Sequence, residues 1–303
     1  MAIVTINDTT LNAIADAIRE KTKATDTLKP SEFAPAIQEI SVGGDVASLV
    51  DRSLTEFTNE EITTVGVYAF ARCPQLVSVN IPNVTTIGNY GFYDIDSLTT
   101  INAPKVETIT DCAFRNSQGL VNVSFPNLTS VGMECFDTCQ KIETFDAPNL
   151  TTIGEDAFSN CRKLTAANFP KAETIGRAAF YYCQALEEIY FPLVTTIQDY
   201  TFAYCKELMK ADFDSLTSIT GTGTGAFSGC TNLVALILRS ETMCTVASVK
   251  ALTNTPIASG TGYIYVPAAI IEEYKADSIW STYANQFRAI EDYPDICEKE
   301  EAM

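Results

Sequence analysis

The sequence predicts a repeat solenoid, in which short stacked β-strands and turns make about eight coils of 22 residues, with a small α-helical N-terminal module and a mixed α/β C-terminal cap. Three observations predict it. Phe70, Phe92, Phe114, Phe136, Phe158, Phe180 and Phe202 follow one another at 22 residues, and Phe227 follows after 25. Other columns keep the same step, so that each unit reads roughly T-T-I-G-x-x-A-F-x-x-C-x-x-L-x-x-x-x-F-P-x-L. The two ends of the chain fall outside that period. A unit of this size cannot bury its own apolar face, and stacked neighbours join the columns into one core.

Residues 1–42 read as a helical module. Asp8 or Thr9 can cap a helix whose apolar residues Leu11, Ile14 and Ile18 follow helical spacing. Lys29-Pro30-Ser31 opens a second short helix toward Phe33, Ile37 and Ile40, and Gly43-Gly44 reads as a hinge. A helical pair this short has too small a core to stand alone. It must dock on the solenoid, on copies of itself or on another protein. Residues 43–61 are a linker and N-terminal cap.

Residues 62–240 carry the repeats. In the sixth unit Ile189 and Phe191 face inward while Glu188 and Tyr190 face outward, a strand alternation. Pro82, Pro104, Pro126, Pro148, Pro170 and Pro192 end these strands, since proline has no N–H for the ladder. The column fails at Asp214, and Gly221-Thr222-Gly223-Thr224-Gly225 adds three residues, which predicts a bulged loop between the seventh and eighth coils. At a strand spacing of about 4.8 Å, eight coils make a rod or shallow arc of roughly 40 Å. Cys73, Cys139, Cys161, Cys183, Cys205 and Cys230 share one column with Ile95 and Ser117. Replacement by isoleucine argues for a packing ladder over a metal or disulfide role, since free cysteine behaves as a small hydrophobe.

Residues 241–303 read as a cap. Tyr263 to Val266 is one more strand closed by Pro267, and Ala268 to Tyr274 is a helix. Trp280, Tyr283 and Phe287 follow at spacings of three and four. Terminal repeats seal the core, so Trp280 is expected inside the cap rather than as a ligand platform.

The composition excludes several functions. A net charge of −18 disfavours nucleic acid and anionic membranes as partners. With no histidine, His-based triads, general bases and metal ligands are gone. No G-x-S-x-G, G-x-x-x-x-G-K or calcium-loop pattern occurs. No catalytic, cofactor-binding or metal-ligating residue is therefore assigned. No apolar stretch reaches 18 residues, so membrane insertion is not expected. The N-terminus lacks a basic n-region and a long apolar h-region, which predicts synthesis in the cytoplasm without a signal peptide.

The repeat resembles the BspA-type leucine-rich repeat, whose units read I-G-x-x-A-F-x-x-C-x-x-L-x-x-x-x-[FI]-P. The resemblance covers about residues 62–240. It implies a leucine-rich-repeat solenoid used for binding, often in bacterial surface adhesins. The run Leu11-Asn12-Ala13-Ile14-Ala15-Asp16-Ala17-Ile18-Arg19-Glu20-Lys21-Thr22, with Leu28-Lys29-Pro30-Ser31-Glu32-Phe33, resembles a short N-terminal module of phage and prophage structural proteins of Gram-positive hosts. It implies that residues 1–42 attach to another virion protein through Leu11, Ile14, Ile18, Phe33 and Ile37, the alternative being a cap on the solenoid. Together these resemblances imply a non-enzymatic virion protein, a tail-fibre or receptor-binding protein. A capsid decoration or head-fibre protein and a bacterial surface adhesin are the alternatives. A homo-oligomer is expected, a trimer by preference.

The expected contact face lies on coils five to seven, where small polar groups give way to Asn168, Glu188, Tyr190, Lys210 and Asp212 on the strands. Tyr182 and Tyr204 lie in nearby turns, beside Tyr181 and Tyr200. Tyrosine offers rigid contact area with a polar tip, which suits recognition of a host cell-surface protein or glycan. An ordinary solvated sheet is the competing reading for any one of these residues.

Overall fold

The computed structural model describes residues 54–297 and, before them, two short strands at Ile40–Val42 and Asp45–Ala47. Leu11, Ile14, Ile18, Phe33 and Ile37 lie outside the described residues. Ile40, expected on a helix, begins a strand instead. Ile40–Val42 pairs antiparallel with Ile62–Val65 and covers the first edge of a sheet whose N–H and C=O groups would otherwise lack partners.

Each coil holds two strands where one was expected. The expected strand has three or four residues, as in Ser78–Asn80, Thr100–Asn102 and Glu188–Phe191. The second is the Thr-Ile pair, as in Thr86–Ile87 and Thr108–Ile109. Both rows run parallel and in step: Ile87 lies opposite Ile109, and Ile189 opposite Ala211, which lies opposite Leu236. The chain returns to the same side once per coil, so each residue type stacks on its own column.

The third side is a row of turns around each phenylalanine. Its backbone also bonds along the axis, Phe92 N–H to Ala113 O at 2.7 Å and Asp94 N–H to Arg115 O at 2.9 Å. This geometry puts the second residue before and the second after each phenylalanine in the left-handed region, as at Tyr90 (φ 58°), Asp94 (60°), Tyr200 (64°) and Tyr204 (62°). Such conformations cost on the order of 1–3 kcal/mol each outside glycine, and the axial hydrogen bonds sustain them. In the eighth coil the two positions are Gly225 and Gly229.

The core lies between the three rows. The phenylalanine column is wholly buried, with ring centroids 4.8 Å apart at Phe70–Phe92 and 5.5 Å at Phe202–Phe227, and planes within 12° of parallel throughout. Parallel rings at these separations gain dispersion energy beyond their burial.

The cysteine column packs as expected and also bonds. The thiols of Cys139, Cys161, Cys183, Cys205 and Cys230 each donate to the phenylalanine carbonyl of the coil before, at 3.0–3.3 Å. Ser117 makes the same bond to Phe92 O at 2.6 Å. All ten cysteines are buried free thiols. Burial raises the pKa of Cys135 and Cys161 well above the usual thiol range and pushes Cys244 up to about 12, so these are packing groups rather than nucleophiles.

The glycine-rich insertion is a loop folded on a carboxylate. Asp199 accepts from the N–H of Gly223 at 3.0 Å and of Gly225 at 3.2 Å. Gly221 (φ 94°) leaves no room for a β-carbon, which would sit 2.3 Å from the Asp199 carboxyl carbon.

At the C-terminal end, Tyr263–Val266 joins the long-strand row. The helix expected over Ala268 to Tyr274 opens as a 3-10 turn at Ala268–Ile270 and is α-helical over Ile271–Ala276. Trp280 is fully buried, its Nε1–H donating to Cys244 O at 2.6 Å, as the cap reading required. Phe287 departs from its helical spacing. The helical turn kinks at Tyr283 (φ −111°, ψ 22°), and Phe287–Ala289 becomes a strand beside Ile264–Val266. Residues 290–297 then cross the outer surface of the long-strand row.

Candidate functional site

The long strands place part of the expected face in the open. Glu188 and Lys210 are register neighbours with Nζ–Oε2 at 3.8 Å, an exposed carboxylate beside a half-buried lysine, a pair worth about 0–1 kcal/mol. Asn168 holds the register position beside Tyr190 on the next coil inward. Tyr190 is half-buried, and its hydroxyl donates to Asp214 Oδ2 at 2.8 Å. The residue that breaks the proline column thus serves as acceptor for a face tyrosine.

Asp212 does not belong to the open face. Its side chain is 4% exposed and forms a bidentate pair with Arg239, Nε to Oδ1 at 2.8 Å and Nη2 to Oδ2 at 2.6 Å. The expectation followed strand alternation correctly. It could not show that residues 290–297 fold back over this side of the sheet and bury the outward column, Ile237 (0% exposed) and Tyr265 (2%) included.

Tyr182 and Tyr204 sit on the turn row, a different row from Glu188 and Lys210. Their rings stack at 4.7 Å. Tyr181 stands edge-on at 4.6 Å from Tyr182, 5.8 Å from Tyr204 and 5.7 Å from Tyr200. The Arg177 guanidinium lies 5.0 Å above the Tyr200 ring and also binds Glu155 at 2.9 Å. Burial and the neighbouring phenols raise the Tyr181 pKa. Gly229 continues the Tyr182–Tyr204 column, and a β-carbon there would come within 2.6 Å of the Tyr204 ring. Glycine lets that ring lie flat on the next coil. The result is four half-buried tyrosines fixed on rigid backbone.

A second aromatic group on the first two coils was not anticipated. Tyr68 and Tyr90 stack at 4.6 Å, Tyr93 stands 5.5 Å from Tyr90, and Arg72 lies 5.6 Å over Tyr93. The Cys112 thiol, hydrogen-bonded to the phenol, pushes Tyr90 up to about 12. Between the two groups the turn row is acidic. Arg115 bridges Glu134 (2.6 Å) and Asp137 (3.1 Å), and Asp156 lies nearby with its pKa raised to about 6, chiefly by burial and then by Glu155. The signal was available as tyrosines two before and one or two after the repeat phenylalanine, a column the strand-based reading did not follow.

Against protein-family models, the chain matches the BspA type leucine rich repeat region (6 copies) over residues 50–165 and 151–262. The chain belongs to the BspA-type leucine-rich repeat family. This leucine-rich repeat chain is similar to a leucine rich cell surface protein from Faecalibacterium prausnitzii A2-165, at 21% identity over 82% of this chain and 83% of that one, with a TM-score of 0.44. It is similar to a leucine-rich repeat protein from Bacteroides ovatus ATCC 8483, at 16% identity over 81% and 94% of the two chains, TM-score 0.34. It is also similar to the T. pallidum leucine rich repeat protein, at 23% identity over 59% and 72%, TM-score 0.38. Among curated proteins, none matches.

Proposed function

We propose that this leucine-rich repeat protein is a non-enzymatic recognition module that binds a cell-surface protein or glycan through its exposed rows on coils five to seven. The observation that carries this reading is the tyrosine group Tyr181, Tyr182, Tyr200 and Tyr204, four amphipathic rings fixed by mutual ring contacts. Rings already held in place lose little entropy on binding, which is what a hot spot requires. Glu188, Tyr190 and Lys210 on the long-strand row form a second, polar contact zone, with the Asn168 strand beside them.

The family fits an adhesin-like role. Presentation on a virion, with residues 1–42 bound to another virion protein and the chain as a trimer, is a separate proposal resting on the N-terminal sequence pattern. The test is binding of fluorescently labelled protein to a panel of Gram-positive cells, beside a Tyr182→Ala, Tyr204→Ala variant and a Tyr190→Ala, Lys210→Ala variant. Saturable binding reduced at least tenfold by the first pair is the expected result. Saturable binding unchanged by either pair would move the contact surface elsewhere on the solenoid.

A further inference from the structure

The outer side of the long-strand row changes character at its C-terminal end. Early coils present serine, threonine and asparagine there, as at Ser78, Asn80, Thr100 and Asn102. The last coils present Ala235, Ile237, Tyr263 and Tyr265, apolar groups on a surface that is otherwise polar. They make a small apolar cluster of their own with Cys297 and Ile290, separate from the solenoid core. Ile290 and Cys297 pack on this cluster and Tyr293 stands edge-on to Tyr265 at 5.5 Å, while Arg288, beside Tyr265 in register, lies 4.2 Å over the Tyr263 ring.

The segment is held by few polar ties. Arg239 Nη2 donates to Cys297 O at 2.6 Å, while the same guanidinium is fixed by Asp212. The Glu291 carboxylate accepts from Ala268 N–H at 3.1 Å. Its regular structure is two short turns, a 3-10 turn at Ile290–Asp292 and one helical turn at Pro294–Cys297. Tyr293 and Ile296 stay substantially exposed, so the segment contributes one face to the contact and no interior. The fold beneath it is complete: Trp280, Tyr274 and Phe287 close the core without it.

We propose that the outer face of the last strands is a peptide-docking site for the chain's own C-terminal segment, filled in cis in a single chain and open to the same segment of a second copy. Three features make the site: an apolar floor of Ile237 and Tyr265, a tyrosine edge from Tyr263, and Arg239, preset by Asp212 to take a main-chain carbonyl. A tethered segment faces its site at an effective concentration on the order of millimolar. The cis form therefore dominates in dilute solution, and exchange between copies joins them where chains are crowded, a low-cost route to a homo-oligomer. This site lies on another part of the molecule from the tyrosine group, so its failure leaves the recognition reading untouched.

The test uses the full chain and a fluorescein-labelled peptide of residues 290–303, followed by fluorescence anisotropy. Ile290→Ala with Tyr293→Ala weakens the resident segment and leaves the floor and Arg239 intact. The expected result is saturable peptide binding to the variant, at least tenfold tighter than to the unaltered protein, where the tether competes. No binding to a variant that melts like the parent overturns the proposal, and so does equal binding to both chains. If the double variant fails to fold, the single Tyr293→Ala chain is read by the same two criteria.

Discussion

At the scale of single residues, the cysteine column shows how one position answers two demands. The site must be small and apolar enough to pack against stacked phenylalanines, and it must donate a hydrogen bond to a carbonyl the strands do not use. Cys183 meets both, with its thiol 3.2 Å from Phe158 O. Ser117 meets them with a hydroxyl. Cys183→Ser should therefore stay within about 1.5 kcal/mol of the parent, while Cys183→Ala should lose about 1–3 kcal/mol, since it opens a void beside the stacked rings and leaves Phe158 O only the N–H of Cys161, at 3.1 Å, as donor. Urea denaturation midpoints of the two variants measure the order. A thiol role in metal binding or catalysis would instead make both substitutions equally damaging to function while leaving stability unranked.

At the scale of elements, Asp212 on the strand Lys210–Phe213 holds Arg239, which in turn binds the segment crossing over them at Cys297 O. Removing the cation alone strands a carboxylate that is 4% exposed, so Arg239→Ala should cost about 3–5 kcal/mol, and Asp212→Asn in the same chain should recover part of that loss. A double-mutant cycle of thermal melts gives the coupling. The same elements show what the sequence could say. The long strands were legible because three or four alternating residues and a proline mark each one. The Thr-Ile strands were not, because two residues are too few to show alternation, and Thr86 and Ile87 read equally well as a turn. Phe287 was misplaced because its spacing from Tyr283 fits a helix that a local kink interrupts. Asp212 was misjudged for a longer-range reason: its strand is read correctly, and its cover comes from residues nearly eighty positions later. The tyrosines at 182 and 204 were seen, but the turn row that aligns them was not, since no sequence rule marks non-glycine residues for left-handed backbone.

At the scale of the whole molecule, stacking in register puts like charges beside like charges. The chain carries a net charge of −18, and at Asp156 burial, first, and then the neighbouring Glu155, Asp137 and Glu134, against Arg177, raise the carboxyl pKa. Its carboxyl ionises near 3.8 when unperturbed and near 6 in the fold, so between those values the folded state binds the extra proton. Stability from this group is then present at low pH and lost as pH rises through 6. Asp156→Asn, which tolerates the left-handed backbone there, should raise the melting temperature at pH 7 and flatten its dependence between pH 4 and 6. Calorimetry across that range measures both.

The repeated register also has a genetic consequence. Within the uniform coils, each ladder bond, ring stack and thiol contact joins one unit to the unit 22 residues away, so unequal crossing-over that adds or deletes one such unit leaves every new junction chemically familiar. The Gly221–Gly225 loop is the exception, because it is fitted to one particular carboxylate, Asp199. Length variants of this gene should therefore differ in the number of units before that loop and agree after it, so that the molecule grows or shrinks from its front while its rear end is inherited as a block.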